Sequence, residues 1–122
     1  MNNEEIVRSG TTARWSDTVA WNGLLFLCEV PEKLDADIAA QAREMLGMLA
    51  KRLADNDSSP ERLLSVTIYL PQAQDLARFN EIWEAWLPAS CAPVRACIHA
   101  ALTNPLMRVE IQAMAARRHS AH

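Results

Sequence analysis

The chain reads as an α+β domain: about six strands in one mixed sheet, with two helices covering one face. Three observations predict this. Several short stretches alternate apolar and polar residues, as strands with one covered face do. Two longer stretches carry apolar residues at helical spacing. The order strand, helix, strand in the middle of the chain requires a crossover connection between parallel strands. At 122 residues, half of them hydrophobic, the chain suits a single domain over residues 1–122, with a flexible tail from about 117.

Residues 4–9 form a short strand candidate around Ile6 and Val7. Thr18–Trp21 and Leu24–Val30 read as a hairpin turned at Asn22-Gly23, a pair that accepts positive φ at both positions. Pro31 ends the second strand. Asp35 is then the expected helix N-cap, with Asp37 in the first turn where an acid suits the dipole. Ile38, Ala42, Met45, Leu46, Leu49, Ala50 and Leu53 recur at helical spacing over about five turns, and the Met45/Met48 pair reads as packing. After the turn-rich Asp55–Pro60, Leu63–Leu70 reads as a strand stopped by Pro71. Asp75–Leu87 reads as a second helix with Leu76, Phe79, Ile82, Trp83 and Trp86 as its stripe. Two further strands follow, over 92–100 and 107–115, with Asn104-Pro105 turning between them. Two helices cover only one face of such a sheet. Trp15, Trp21 and the apolar strand positions argue against water on the other, so self-association into a closed ring is expected.

Several classes of function are disfavoured. A net charge of −3 with no basic patch gives no electrostatic basis for nucleic-acid or anionic-membrane binding. No apolar run approaches the ~20 residues that span a bilayer. The acidic start Met1-Asn2-Asn3-Glu4-Glu5 leads into no apolar stretch and is not expected to be a signal peptide. Cys28, Cys91 and Cys97 are odd in number and lack metal-ligand spacing, which fits reduced thiols in a cytoplasmic protein. His119 and His122 fall in the tail, leaving His99 alone. No metal or organic cofactor is expected.

The last two strands carry the chemistry. Val94, Ala96, Ile98 and Ala100 alternate against Arg95, Cys97 and His99, and Met107, Val109, Ile111 and Ala113 alternate against Arg108, Glu110, Gln112 and Met114. A guanidinium fixed on a strand can hold a carboxylate through two parallel charge-assisted hydrogen bonds. The alternative is that Arg95 and Glu110 are solvated, or paired with each other. A simple hairpin of these two strands would place Cys97 near Glu110.

Pro93-Val94-Arg95-Ala96-Cys97 followed by Val109-Glu110-Ile111 resembles the signature of the RidA family, also called YjgF/YER057c/UK114. The resemblance extends through Arg14-Trp15-Ser16-Asp17, Asp37–Ala42, Val66–Leu70 and Phe79-Asn80-Glu81, and is greatest to the short YoaB-type branch. It implies a chorismate-mutase-like fold and a homotrimer, sheets inward, with ligand clefts between subunits. It also implies an enamine/imine deaminase that hydrolyses reactive 2-imino acids such as 2-aminoacrylate to 2-keto acids and ammonia. By resemblance, Arg95 is the carboxylate anchor and Glu110 positions water, while Cys97, Trp15 and Asn80 line the pocket. Read from the residues alone, Cys97 is an inert thiol with no obvious base, Trp15 serves equally as interface packing, Asn80 could bond its own helix, and His99 fits a structural role.

Where the family commonly carries Ser/Thr-Gly, this chain has Cys28-Glu29. Were Glu29 directed into the cleft, its charge would oppose an anionic substrate and pair with Arg95. The alternative function is a non-catalytic protein that binds small carboxylates or keto acids at the same cleft.

Overall fold

The computed structural model describes residues 5–118. In chain order its elements are β1 (Val7–Ser9), β2 (Thr18–Trp21), β3 (Leu24–Glu29), α1 (Ile38–Asp55), β4 (Leu63–Leu70), α2 (Leu76–Trp86), β5 (Val94–His99) and β6 (Glu110–Ala116). The strands form one mixed sheet in the order β1-β2-β3-β6-β4-β5. Only β4 and β5 are parallel, joined by the expected crossover through α2. β6 enters between β3 and β4, antiparallel to both. The six-stranded α+β architecture read from the sequence is the one observed.

Local chemistry sets the boundaries. Asn22 and Gly23 both adopt positive φ, 55° and 81°, which matches the turn to the twist of β2 and β3. The helix cap is corrected: Asp37, not Asp35, is the N-cap of α1, its carboxylate accepting the Ala40 N–H at 2.9 Å. Asp35 lies a full two residues too early to reach that orphan donor. At the other end Asn56 closes the helix, its side-chain amide donating to the Arg52 carbonyl at 2.8 Å.

The core lies between the sheet and the two helices. Leu25 and Leu27 of β3, Val66, Ile68 and Leu70 of β4, and Ile111, Ala113 and Ala115 of β6 form its floor. Met45, Leu46, Leu49 and Leu53 of α1 and Phe79, Ile82 and Trp83 of α2 form its roof. Each large side chain removed from water contributes about 1.5–3 kcal/mol, so this layer dominates the favourable side of folding.

Gln41, fully buried on α1, closes a polar gap at one end of that layer. Its amide donates to the carbonyls of Leu34, Ala36 and Leu106, and its oxygen accepts the Arg108 N–H at 2.8 Å. Both the nitrogen and the oxygen of the side chain are thus hydrogen-bonded, as its burial demands.

The simple hairpin that would place Cys97 near Glu110 does not form, because β4 lies between β5 and β6. One further expectation changes. The chain is held past residue 116: the Arg117 N–H donates to the Gly23 carbonyl at 2.9 Å and the Arg118 N–H to that of Asp57 at 2.7 Å. The expected tail therefore does not begin at 117. Residues 119–122, with His119 and His122, lie outside the described residues, as do residues 1–4. Among the described residues no helix is long and apolar enough to cross a membrane.

Candidate active site

Strand register assigns each candidate residue to a face. Val66, Ile68 and Leu70 of β4 point into the core, and they pair with Arg95, Cys97 and His99 respectively. Those three therefore share the helix-covered side of the sheet, at its β5 edge. Ile111 and Ala113 are buried on that side too, so Glu110, Gln112 and Met114 face the open side. Arg95 and Glu110 accordingly lie on opposite faces and do not meet within one chain. The apolar row of β5 is the exposed one, with Val94 75% and Ile98 42% accessible on the open face.

Arg95 stands beside a cleft of about 460 Å³ lined also by Asn80, Trp83, Glu84 and the loop 87–93. Its guanidinium carbon lies 5.9 Å from the centroid of the Trp83 ring, a cation–π distance that steadies the side chain without neutralising it. Trp83 is itself stacked on Phe79, with ring centroids 6.2 Å apart, and tilted against Trp86 at 5.6 Å. Among the described residues no carboxylate lies within ion-pair distance of Arg95. The reading in which Arg95 pairs with Glu110 of its own chain is excluded by the register. Asn80 lines the same cleft, and its side-chain oxygen is buried with no hydrogen-bond partner. An unsatisfied buried acceptor costs about 1–3 kcal/mol. Arg95 and Asn80 are thus brought together, and Trp83, read from the sequence only as core stripe, joins them. Its spacing of three from Asn80 on one helix was the available signal.

Cys97 follows Arg95 along the same face, beside Leu70, Ala73, Leu76 and His99 in a small recess of about 110 Å³. Burial pushes its thiol up, and the Arg95 charge pulls it only part of the way back, which disfavours the thiolate that a nucleophile needs. His99 Nε2 donates to the Pro71 carbonyl at 2.9 Å, the structural role its isolation implied.

Glu110 lies on the open face, paired with Tyr69 in register. Cys28 faces the same side through its pairing with Gln112, one strand position away. Burial, then the negative charges of Glu110 and Glu29, raise the Cys28 thiol above its ordinary value. Glu29 points the other way, buried against α1, where Arg52 Nε donates to its carboxylate. Asp17 completes that cluster at 3.4 Å from Arg52. Glu29 is therefore neither in the cleft nor a partner for Arg95. Trp15 sits in the β1–β2 connection, 61% exposed, at the opposite edge of the sheet from Arg95.

Comparison with known proteins agrees with this architecture. Residues 5–117 match the family model described as Endoribonuclease L-PSP. The chain is 41% identical over 111 residues to the RutC family protein YoaB of Escherichia coli K12, covering 91% of this chain and 97% of that protein. It superposes on a YjgF-family protein from Neisseria meningitidis with a TM-score of 0.91 at 38% identity, covering 98% and 100% of the two chains. It is 30% identical over 92 residues to the 2-iminobutanoate/2-iminopropanoate deaminase of Escherichia coli K12, covering 74% and 69%. The chain therefore belongs to the Endoribonuclease L-PSP family, also known as the RidA or YjgF family, and is most like its YoaB branch.

Proposed function

We propose that the protein is a 2-imino acid/enamine deaminase whose site is completed across subunits of a homotrimer. The observation that carries this reading is the cleft in which an Arg without a carboxylate partner and an Asn with an unsatisfied buried oxygen stand side by side. Arg95 forks the substrate carboxylate through two charge-assisted hydrogen bonds. The Asn80 oxygen accepts from the imine or amine nitrogen. Glu110 of a neighbouring chain takes a proton from water as the water oxygen bonds to C2. The Glu110 carboxyl gives its proton to the substrate nitrogen, the hydroxyl proton follows by way of the same carboxylate as the C2–N bond breaks, and a 2-keto acid and ammonia leave. One water is consumed and no redox partner is required.

The open face supports the trimer. Val94 and Ile98 on its β5 edge and Trp21 near its other end are apolar and exposed, in a surface that also carries Val19, Phe26 and Met114. A head-to-tail ring covers this face and sets one chain's β5 edge against the next chain's Glu110. Trp15, far from Arg95 in its own chain, becomes a wall of a neighbour's cleft in the same arrangement.

The test is ammonia and keto-acid release from a 2-imino acid generated in situ by an amino-acid oxidase. Wild type is expected to accelerate release, and Arg95→Ala to lose about a hundredfold or more in kcat/KM, since two charged hydrogen bonds go at once. Absence of acceleration across small and bulky imino acids, with keto acids still binding, would leave a carboxylate-binding protein instead.

A further inference from the structure

The turn between β4 and α2, Pro71–Asp75, fastens both strands that carry the proposed chemistry. On one side it holds the end of β5: His99 Nε2 donates to the Pro71 carbonyl at 2.9 Å, and the Ala100 N–H donates to the Leu70 carbonyl at 3.2 Å. On the other it holds the entry to β6: Arg108 Nε and Nη2 donate to the two oxygens of the buried Asp75 carboxylate, at 3.0 and 2.7 Å. The backbone of Arg108 is fixed separately, by Gln41 of α1. Glu110 follows only two residues later, after the fully buried Val109.

This is a specific construction. The stretch from Ala100 to Val109 has no helix or strand of its own, and the fork acts just ahead of the point where β6 joins its ladders with β3 and β4. A bidentate guanidinium–carboxylate pair with one partner buried is a rigid, directional fastening. A surface ion pair such as Lys51–Asp55 would not serve.

We infer that the Asp75–Arg108 clamp, with Gln41 and His99, is a positioning device for the reaction: it fixes the Glu110 strand relative to the Arg95 strand. The inference rests on the deaminase reading above. Because Arg95 and Glu110 face opposite ways, each chain lends Arg95 to one cleft and Glu110 to another. β4 sets the register of the two strands, the turn braces their ends, and water placement at each cleft depends on that bracing. Displacements on the scale of 1 Å at a reacting group can cost about a hundredfold in rate. Asp75, Arg108, Gln41 and His99 touch no reacting atom and are positioning residues.

The test separates positioning from stability. Replacing a buried ion pair by apolar residues of similar size is often neutral for folding, so the double variant Asp75→Leu/Arg108→Met keeps the fold while removing the fork. With the full-length protein and an in-situ 2-imino acid, the expected result is a kcat at least about tenfold lower, with KM within about threefold and melting temperature and oligomeric mass unchanged. Should the double variant fail to fold, Arg108→Lys retains the charge without the fork and is expected to lower kcat about threefold at unchanged KM. A folded variant of either kind with wild-type kcat would overturn the clamp while leaving the deaminase intact. A wild-type protein without turnover would overturn both.

Discussion

Arg95 owes its position to what flanks it. The Trp83 ring supports one side of the guanidinium, and the edge of the sheet leaves its hydrogen-bonding fork uncommitted. Glu29 is the opposite case, a charge made tolerable by one specific partner. Burial pushes its carboxyl up, the hydrogen bond and charge of Arg52 pull it back, and the net direction remains upward. The folded protein therefore binds this proton more readily than the unfolded chain does. Glu29's contribution to stability is complete below the ordinary carboxylate range and is lost as pH rises through the raised value. Removing Arg52 exaggerates the effect, because a buried carboxylate is left unpaired. Arg52→Met is expected to cost about 2–3 kcal/mol near neutral pH, below the full cost of breaking a buried pair because Arg52 keeps some solvent. Part of the loss should return on acidification toward pH 5. Urea denaturation at both pH values measures it, and a loss that does not shrink in acid would contradict this account.

At the scale of elements, what could be read from the sequence follows the range of the interaction. The Asn22-Gly23 turn, the α1 stripe and the β4 strand depend on neighbours a few residues away, and all stand where the sequence placed them. The sequence places the helix cap two residues early because Asp35 and Asp37 are both good caps, and the choice depends on which carboxylate reaches the Ala40 N–H. Asp37→Ala is accordingly expected to cost about 1 kcal/mol in thermal or urea unfolding, and Asp35→Ala less than about 0.5 kcal/mol. Equal losses would put the cap back in doubt.

The pairing of β5 and β6 was not legible, since alternation records that a strand has two faces but not which strand lies beside it. The site inherits the same limit. Arg95, Cys97 and Asn80 could be singled out from the sequence, and Arg95 and Asn80 share a cleft. That Glu110 faces the other way follows only from register across β4. Nor could alternation show that Val94 and Ile98, an apolar row, would be the exposed side of their strand.

On the scale of the whole molecule, one exposed apolar face and the two proposed half-sites on opposite sides of one sheet call for the same remedy, a neighbouring copy. Ile98 sits at the β5 edge of that face. A charge there would be buried unpaired in the assembly, so Ile98→Glu is expected to convert a trimer of the 13.6 kDa chain into monomers by sedimentation, and to abolish turnover with it. A trimer unaffected by this change would place the interface elsewhere.

The most direct test mixes two inactive proteins. In the proposed site Arg95→Ala and Glu110→Gln each destroy one half of every cleft, and the halves come from different chains. Co-refolded at equal amounts, with mixed trimers verified by mass, they should recover roughly a quarter of wild-type deaminase activity, since one in four head-to-tail interfaces joins an intact Arg95 to an intact Glu110. Verified mixed trimers that stay as inactive as the parents would contradict the shared site and, with it, the central claim.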